Sequence, residues 1–145
     1  MRIVHVLTSY LVGGGERVAL DLASGQRERG HRLLAVALDP DPEGPHAANF
    51  RRAGIEALTV ARRGPTVDPT LVGRLAWLFR ERRIDFVHTH NYQPLIYAGP
   101  AAKLVGLPVV HTKHGFNAAS ARRMLLRRTP ARCADVFIAV SEQTA

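Results

Sequence analysis

The stretch Met1-Arg-Ile-Val-His-Val-Leu7, followed by Gly13-Gly-Gly15 and a helical run over residues 16–29, decides the fold. A short apolar run, a glycine turn and a helix in that order start a βαβ unit. The same alternation recurs along the whole chain, and most apolar runs are continuous, as expected for strands with helices on both faces. We therefore predict an α/β fold with an open parallel sheet of about six strands.

The predicted elements follow from these apolar runs and from helix start and stop signals. The six strands span residues 2–8, 32–38, 55–60, 84–89, 108–112 and 135–140, and the helices span about 16–29, 45–53, 69 onward, 94–106 and 118–134. In the first helix, Val18, Leu22 and Ala23 form one apolar stripe. Asp68 is predicted to cap the third helix. That helix should turn four apolar side chains inward: Leu71, Leu75, Leu78 and Phe79.

Length and composition indicate one domain of ordinary globular character. The chain has 145 residues, of which 46 % are apolar, and it has one cysteine, Cys133, which cannot form an internal disulfide. The N-terminal apolar run is too short for a signal peptide, and no window approaches the roughly 18 apolar residues that span a bilayer. We expect a cytoplasmic protein.

The charge is strongly basic and unevenly distributed. The net charge is +8, and +7 of it lies in residues 73–145. Such a field favours an anionic partner. Nucleic acid is disfavoured because aromatic residues make up only 6 % and no known binding module is present. The arginines of the helix over 121–128 are scattered around its axis, so peripheral contact with an anionic membrane and a role beside a cleft both stay open.

The glycine turn after the first strand is a candidate anion site. Gly13, Gly14 and Gly15 stand immediately before a helix, whose N-terminus carries about half a positive charge. The turn lacks the Gly-Lys-Ser/Thr of a P-loop. Val18 stands where the dinucleotide fingerprint has a small residue. The alternative is a flexible loop without a ligand.

The fourth strand ends in polar residues at the carboxyl edge of the sheet, where open parallel sheets bind ligands. His88 and His90 alternate in the strand, so they share one face. We favour polar lining of a cleft over a buried structural pair. No carboxylate is evident as a third ligand, so no metal is predicted.

The fifth strand ends in a similar way, with Lys113 and His114 directly after an apolar run. A histidine at this edge could reach a substrate hydroxyl, and the lysine could offset phosphate charge. The alternative is that His114 only caps the backbone of the strand.

Together these motifs resemble the N-terminal domain of retaining glycosyltransferases of family 4, in which two Rossmann-like domains face each other in the GT-B architecture. Four segments carry the resemblance in order: Gly13–Arg17, Val87–Asn91, Thr112–Gly115 and Ile138–Glu142. The resemblance covers essentially the whole chain. It implies that this sheet is the acceptor-side, Rossmann-like half of such an enzyme.

The resemblance also implies site roles. It assigns Gly13, Gly14 and Gly15 to the donor diphosphate and the acceptor pocket, and it makes His114 the catalytic residue that positions the substrate. His90 and Asn91 would line the acceptor side. Lys113 and Arg17 would also bind substrate. The nucleotide-sugar donor would be a substrate rather than a cofactor, and no metal would be required.

The chain departs from the family pattern in one respect. The Glu-x7-Glu motif of the nucleotide-sugar site, which lies in the C-terminal domain of the family, is absent. We therefore expect residues 1–145 to be a truncated N-terminal domain that is inactive without its C-terminal partner domain. The expected acceptor is an anionic or lipid-linked glycoconjugate of the cell envelope, reached at the inner face of the plasma membrane. A non-catalytic nucleotide- or phosphate-binding module remains the alternative, and an NAD-dependent dehydrogenase, suggested only by Asp39, is a distant third.

Overall fold

Six strands and four helices make up the computed structural model of the protein, in which residues 1–40, 44–64, 67–114 and 131–140 are described. The strands are β1 (Arg2–Leu7), β2 (Arg32–Ala37), β3 (Glu56–Thr59), β4 (Phe86–His90), β5 (Val109–Lys113) and β6 (Val136–Ala139). The helices are α1 (Gly14–Glu28), α2 (Pro45–Arg52), α3 (Pro69–Glu81) and α4 (Tyr92–Leu104).

The strands form one sheet in the order β3-β2-β1-β4-β5-β6, and every pairing is parallel. The chain starts in the middle of the sheet, adds strands on one side, and then returns to add the rest beside β1. The strand order therefore reverses between β1 and β4, which is the switch point where doubly wound sheets bind their ligands. The predicted open parallel sheet is confirmed.

Two apolar clusters cover the two faces of the sheet. On one face, Val4 and Val87 pack against large side chains of α3 and α4, such as Phe79 and Leu95. Complete burial of one such side chain stabilises the fold by about 1.5–3 kcal/mol. The other face is covered by α1 and α2, and its cluster is built largely of alanines. Helix α1 can therefore lie close to the sheet at the edge where ligands bind.

The apolar stripe of α1 differs from the prediction. Ala19 and Ala23 are fully buried, whereas Val18 and Leu22 are 43 % and 39 % exposed. Around Ala19 and Ala23 the helix lies close to the sheet and admits only small side chains, so Val18 and Leu22 turn outward. Ala23 is buried as predicted, but the prediction is wrong for Val18 and Leu22, because hydrophobicity alone favours the larger residues.

The element boundaries agree with the prediction to within two residues. The largest differences are that α1 begins two residues earlier than predicted, α4 begins and ends two residues earlier, and β4 begins two residues later. The predicted helix over 118–134 lies mostly outside the described residues. None of the helices in the described part of the chain is both long and apolar enough to cross a membrane.

Asp68 caps α3 as predicted. Its carboxylate accepts hydrogen bonds from the backbone N–H of Thr70 at 3.0 Å and of Arg63 at 2.9 Å, and it meets the guanidinium of Arg74 at 2.7 Å. These donors lower the pKa of Asp68, with the Thr70 side chain as the largest cause. The four predicted inward residues of the helix are all buried. A single carboxylate thus joins the start of α3 to the loop before it.

We expect Asp68→Ala to lower the urea midpoint of unfolding, because four donor groups on Thr70, Arg63 and Arg74 lose their common acceptor. Asp21→Ala is the control, since Asp21 makes only an exposed pair with Arg17 on the surface of α1 and such pairs contribute little. Equal midpoints for the two variants would contradict the role of Asp68.

Candidate functional site

A cleft of about 470 Å³ opens at the carboxyl edge of the sheet, next to the switch point. The start of α1, the residue after β4 and the residue after β5 meet there. Seven described residues line it: Gly14, Gly15, Glu16, Val18, Asn91, His114 and Val140. The glycine turn and the histidine that the sequence singles out, although about 100 residues apart, therefore border one cleft.

Gly15 lies against His114. A Cβ atom built on Gly15 would stand 3.2 Å from Cγ and Cδ2 of the imidazole and 3.4 Å from Nδ2 of Asn91. A Cβ on Gly14 would meet nothing within 4 Å. A side chain at position 15 would therefore press on the imidazole, which would have to move by a few tenths of an ångström.

The N-terminus of α1 faces the same cleft. Its N-cap residue, Gly13, is extended and supplies no side-chain hydrogen bond, so the first N–H groups of the helix keep their capacity to bind an anion. The carboxylate of Glu16 folds back against the position that a Cβ on Gly13 would occupy. A phosphate bound at these N–H groups would meet that carboxylate and have to displace it.

Asn91 holds the backbone of His114 in place. Its φ of 69° and ψ of 168° lie in a region that is essentially restricted to glycine. Its side-chain Oδ1 accepts a hydrogen bond from the His114 N–H at 3.1 Å, and its own N–H donates to the carbonyl of Thr112 at 2.9 Å. A strained residue that also fixes its neighbour across the cleft is typical of functional sites.

Behind the cleft lies a cluster of buried histidines on the α1 face of the sheet. His5 stands opposite His88 in the pairing of β1 with β4. The ring centroids of His5 and His88 are 5.0 Å apart, and those of His88 and His90 are 4.4 Å apart. All three side chains are at most 2 % exposed. The expectation that His88 and His90 line a cleft is therefore wrong, since α1 covers this part of the strand.

A row of hydrogen bonds connects this cluster to the cleft. Gln26 Oε1 lies 2.8 Å from Nε2 of His5, and Nδ1 of His5 lies 2.9 Å from Nε2 of His90. Nδ1 of His90 then lies 2.9 Å from Nε2 of His114. Only the last ring borders the cleft. His90 thus meets the cleft through His114 rather than at its own surface.

Burial keeps these rings neutral. It lowers the pKa of His5 to about 4 and that of His88 to about 3, and it holds the pKa of His90 well below its ordinary value. The pKa of His114 is also lowered by burial. At neutral pH each ring therefore carries one N–H donor and one acceptor nitrogen.

The cluster bears on the question of a metal. Nitrogens of His5, His88 and His90 lie within 4.8 Å of one another, so His5 is a possible third ligand that the sequence analysis missed. The nitrogens are already engaged, however: His5 and His90 bond to each other, and His88 Nε2 lies 2.7 Å from Oγ1 of Thr112. A metal would have to break these bonds, so the arrangement fits a hydrogen-bonded cluster better than a metal site.

Two predicted binding residues, Lys113 and Arg17, are not among the described residues that line the cleft. Lys113 ends β5 and is half-buried. Arg17 points along α1, where its side chain is 69 % exposed and pairs with Asp21 at 3.0 Å. The roles of both residues stay predictions.

The buried histidines make stability depend on pH. Because the folded-state pKa of His5 lies near 4 against an ordinary value of 6.5, the unfolded chain binds more protons between these two values. The stability is fully present above about pH 6.5 and falls as the pH drops toward 4. For His5 alone the loss at pH 5 is roughly 2 kcal/mol.

We expect His5→Gln to lose less stability than the wild type between pH 7 and pH 5, because the contribution of His5 to that loss is removed. The measurement is the difference in the free energy of urea unfolding between the two pH values. His31→Gln, at a half-buried position before β2, is the control and should keep the wild-type difference. An unchanged difference in His5→Gln would contradict the burial of a neutral His5.

The strain at Asn91 is tested by a pair of variants. Both Asn91→Gly and Asn91→Ala lose the bond to His114, but only glycine tolerates the backbone angles, so the glycine variant should be more stable by about 1–3 kcal/mol. At Asn49, inside α2, the order should reverse, because glycine weakens a helix by about 0.5–1 kcal/mol relative to alanine. Urea unfolding measures both pairs, and the same order at both positions would contradict the strain.

Comparison with solved structures shows the same fold in larger proteins. Anabaena HepE in complex with UDP and glucose has a TM-score of 0.81 at 19 % identity, over 99 % of this chain and 39 % of HepE. MurG of Acinetobacter baumannii has a TM-score of 0.76 at 16 % identity, over 99 % of this chain and 42 % of MurG. The UDP complex of MnaA from S. aureus has a TM-score of 0.72 at 14 % identity, over 99 % of this chain and 40 % of MnaA. The chain thus spans about two fifths of the length of these structures.

These likenesses show the fold, which is one Rossmann-like half of the GT-B architecture. No individually curated protein sequence matches the chain significantly. The family comparison is decisive, because the sequence model for Glycosyltransferase Family 4 matches residues 12–145. That match includes the glycine turn and every residue that borders the cleft, and the chain therefore belongs to glycosyltransferase family 4.

Proposed function

We propose that the chain is the acceptor-side, N-terminal half of a retaining glycosyltransferase, which transfers a sugar from a nucleotide-sugar donor to a glycoconjugate or lipid-linked acceptor without a metal. The observation that carries this proposal is the contact between Gly15, at the start of α1, and His114, at the end of β5. The contact brings an anion-binding helix end and a neutral hydrogen-bonding side chain into one cleft.

The glycine turn would act on the diphosphate. When the bond between the sugar and the diphosphate breaks, negative charge grows on the departing oxygens. The N–H groups at the start of α1 and the positive end of the helix dipole stabilise such charge without a metal ion. Gly13, Gly14 and Gly15 allow the phosphates to approach the backbone closely, provided that Glu16 moves aside.

His114 would act on the sugar or the acceptor. A neutral imidazole at this position can hydrogen-bond to a sugar hydroxyl without adding charge to the site. Asn91 fixes its backbone, so the ring is oriented before the substrate arrives, which lowers the cost of reaching the reactive geometry. In this proposal His114 is the catalytic residue, and Asn91 is a positioning residue.

The comparisons support a nucleoside diphosphate as part of the donor, because HepE was solved with UDP and glucose and MnaA was solved with UDP. Both are more than twice the length of this chain. A second GT-B domain would close the cleft from the open side and bind the nucleotide. Residues 1–145 alone would then bind a sugar nucleotide weakly and would not turn it over.

The proposal for the acceptor rests on the net charge of residues 73–145. The +7 carried by residues 73–145 favours a phosphorylated or otherwise anionic acceptor, and the half-buried Lys113 lies at the same edge of the sheet as the cleft. A lipid-linked acceptor of the cell envelope at the inner face of the plasma membrane meets this requirement.

The test uses residues 1–145 joined to a C-terminal nucleotide-sugar-binding domain, assayed for sugar-nucleotide turnover. We expect His114→Ala to lower kcat/KM by about a hundredfold, because it removes a group that positions the substrate. Gly15→Ala, whose Cβ would stand 3.2 Å from the ring and shift it by a few tenths of an ångström, should lower kcat/KM by a smaller factor. Gly25→Ala is the matched control, because Gly25 lies in the same helix and a Cβ there meets nothing within 4 Å.

Gly14→Ala tests donor binding separately from the stability of the fold. A Cβ there meets no protein atom within 4 Å but lies in the cleft, so the variant should unfold like the wild type and yet bind the donor less tightly. Full activity in both Gly15→Ala and His114→Ala would overturn the proposal. Binding of the sugar nucleotide without turnover in the joined protein would instead support the non-catalytic binding module.

A further inference from the structure

We propose that the buried row of Gln26, His5 and His90 is a hydrogen-bond relay that fixes which ring nitrogen of His114 carries the proton. In this relay the side-chain oxygen of Gln26 sets the direction of every bond, and Nδ1 of His114 is left as the acceptor nitrogen. The inference rests on the proposed function only in its last step, where that nitrogen receives a hydroxyl proton donor from the sugar or the acceptor.

The relay starts at Gln26, on the inner side of α1. Its Oε1 can only accept a hydrogen bond, so the nitrogen that faces it at 2.8 Å, Nε2 of His5, must carry the proton. A neutral imidazole has a single N–H. Nδ1 of His5 is therefore the acceptor for the next ring.

The same logic passes along the row. Because Nδ1 of His5 accepts, Nε2 of His90 must carry a proton across the 2.9 Å separation. Nδ1 of His90 is then bare and accepts from Nε2–H of His114, again at 2.9 Å. His114 is thereby held as its Nε2–H form. Among the described residues its Nδ1 has no hydrogen-bond partner.

Burial of His5 and His90 leaves Gln26 to set the direction of the hydrogen bonds in the relay. His5 and His90 are 0 % and 1 % exposed, so water does not compete for their nitrogens. If the amide of Gln26 were reversed, its NH₂ group would donate to His5, every bond would turn round, and His114 would carry its proton on Nδ1. One side chain, remote from the cleft, thus decides whether His114 offers an acceptor or a donor.

The third histidine of the cluster stays outside the relay. His88 stacks on His90 at 4.4 Å between ring centroids, but its Nε2 bonds to Thr112. The relay also ends at an amide, which does not take up a proton at neutral pH. The row therefore orients His114 and does not conduct protons away from it. Gln26, His5 and His90 are positioning residues.

The relay has a chemical consequence for recognition. An unprotonated Nδ1 binds a hydroxyl that donates its hydrogen, and it rejects a carbonyl or ether oxygen placed at the same point, because two acceptors repel. A sugar or acceptor whose hydroxyl is replaced by fluorine at the contact point should therefore bind poorly, although its shape is nearly unchanged.

The direct test is an NMR measurement of the ring nitrogens of the 145-residue chain, labelled with ¹⁵N at histidine and recorded at about pH 8, where imidazoles are neutral. Two-bond correlations between ring protons and nitrogens distinguish the two neutral forms. We expect the Nε2–H form at His5, His90 and His114. The Nδ1–H form at His114 would overturn the proposal.

Variants of Gln26 test the cause. Gln26→Glu keeps an oxygen that only accepts, so His114 should remain in the Nε2–H form. Gln26→Leu removes the acceptor, so His114 should become a mixture of both forms. Asp21→Asn, on the exposed side of the same helix, is the control and should change nothing. Identical tautomers in the wild type and Gln26→Leu would show that Gln26 does not direct the row.

A metal is the competing explanation for the cluster. Zinc added to the chain should leave the ring spectra of His5, His88 and His90 unchanged. Stoichiometric binding that shifts all three rings together, and that is lost in His5→Gln, would overturn the relay in favour of a metal site.

The kinetic test is separate from these spectra. In the joined enzyme, Gln26→Leu should lower kcat about tenfold and leave the KM for the sugar nucleotide unchanged, and Gln26→Glu should restore kcat. A merely structural role would change both variants alike and would overturn the relay. If the joined enzyme transfers no sugar at all, the proposed function fails while the NMR result still decides the relay.

Discussion

The pairing of β1 with β4 is the constraint on which the rest of the structure depends. It places the first strand of the chain beside the fourth, so that the turn after β1 and the residues after β4 and β5 reach the same edge of the sheet. It also brings His5 opposite His88. Without the pairing of β1 with β4 neither the cleft nor the histidine row behind it would exist, because the residues that form them come from distant parts of the chain.

This arrangement places a positive helix end beside an uncharged group of histidines. Positive potential comes from the start of α1, where backbone N–H groups point to the cleft. The histidines, which could have supplied positive charge, are neutral because they are buried. The cleft therefore presents the positive end of a helix and an uncharged hydrogen-bonding side chain side by side. The proposed function assigns the first to the phosphate part of a substrate and the second to its sugar part.

The sequence predicts the sheet and its edge well because both follow from local signals. Continuous apolar runs mark buried strands, Asp68 marks a helix start, and polar residues after β4 and β5 mark the ligand edge. The predicted site residues Gly15, Asn91 and His114 do lie together. Their roles in binding and transfer remain predictions.

What the sequence analysis missed depends on packing between elements. The burial of His88 and His90 follows from the position of α1, which no local pattern encodes. The sequence does not single out His5, because it stands within an apolar run, although a histidine in the middle of a buried strand is itself a signal that a polar partner must be near. Gln26 lies 21 residues from His5, on another element, and only the fold brings the two together.

The contact between residue 15 and the imidazole has an evolutionary consequence. A methyl group at position 15 would press against the ring of His114 at 3.2 Å, so a change at either position alters the space available to the other. A larger side chain in the turn is accommodated more easily once the ring has shifted or been replaced by something smaller. In descendants of this sequence the two positions should therefore tend to vary together.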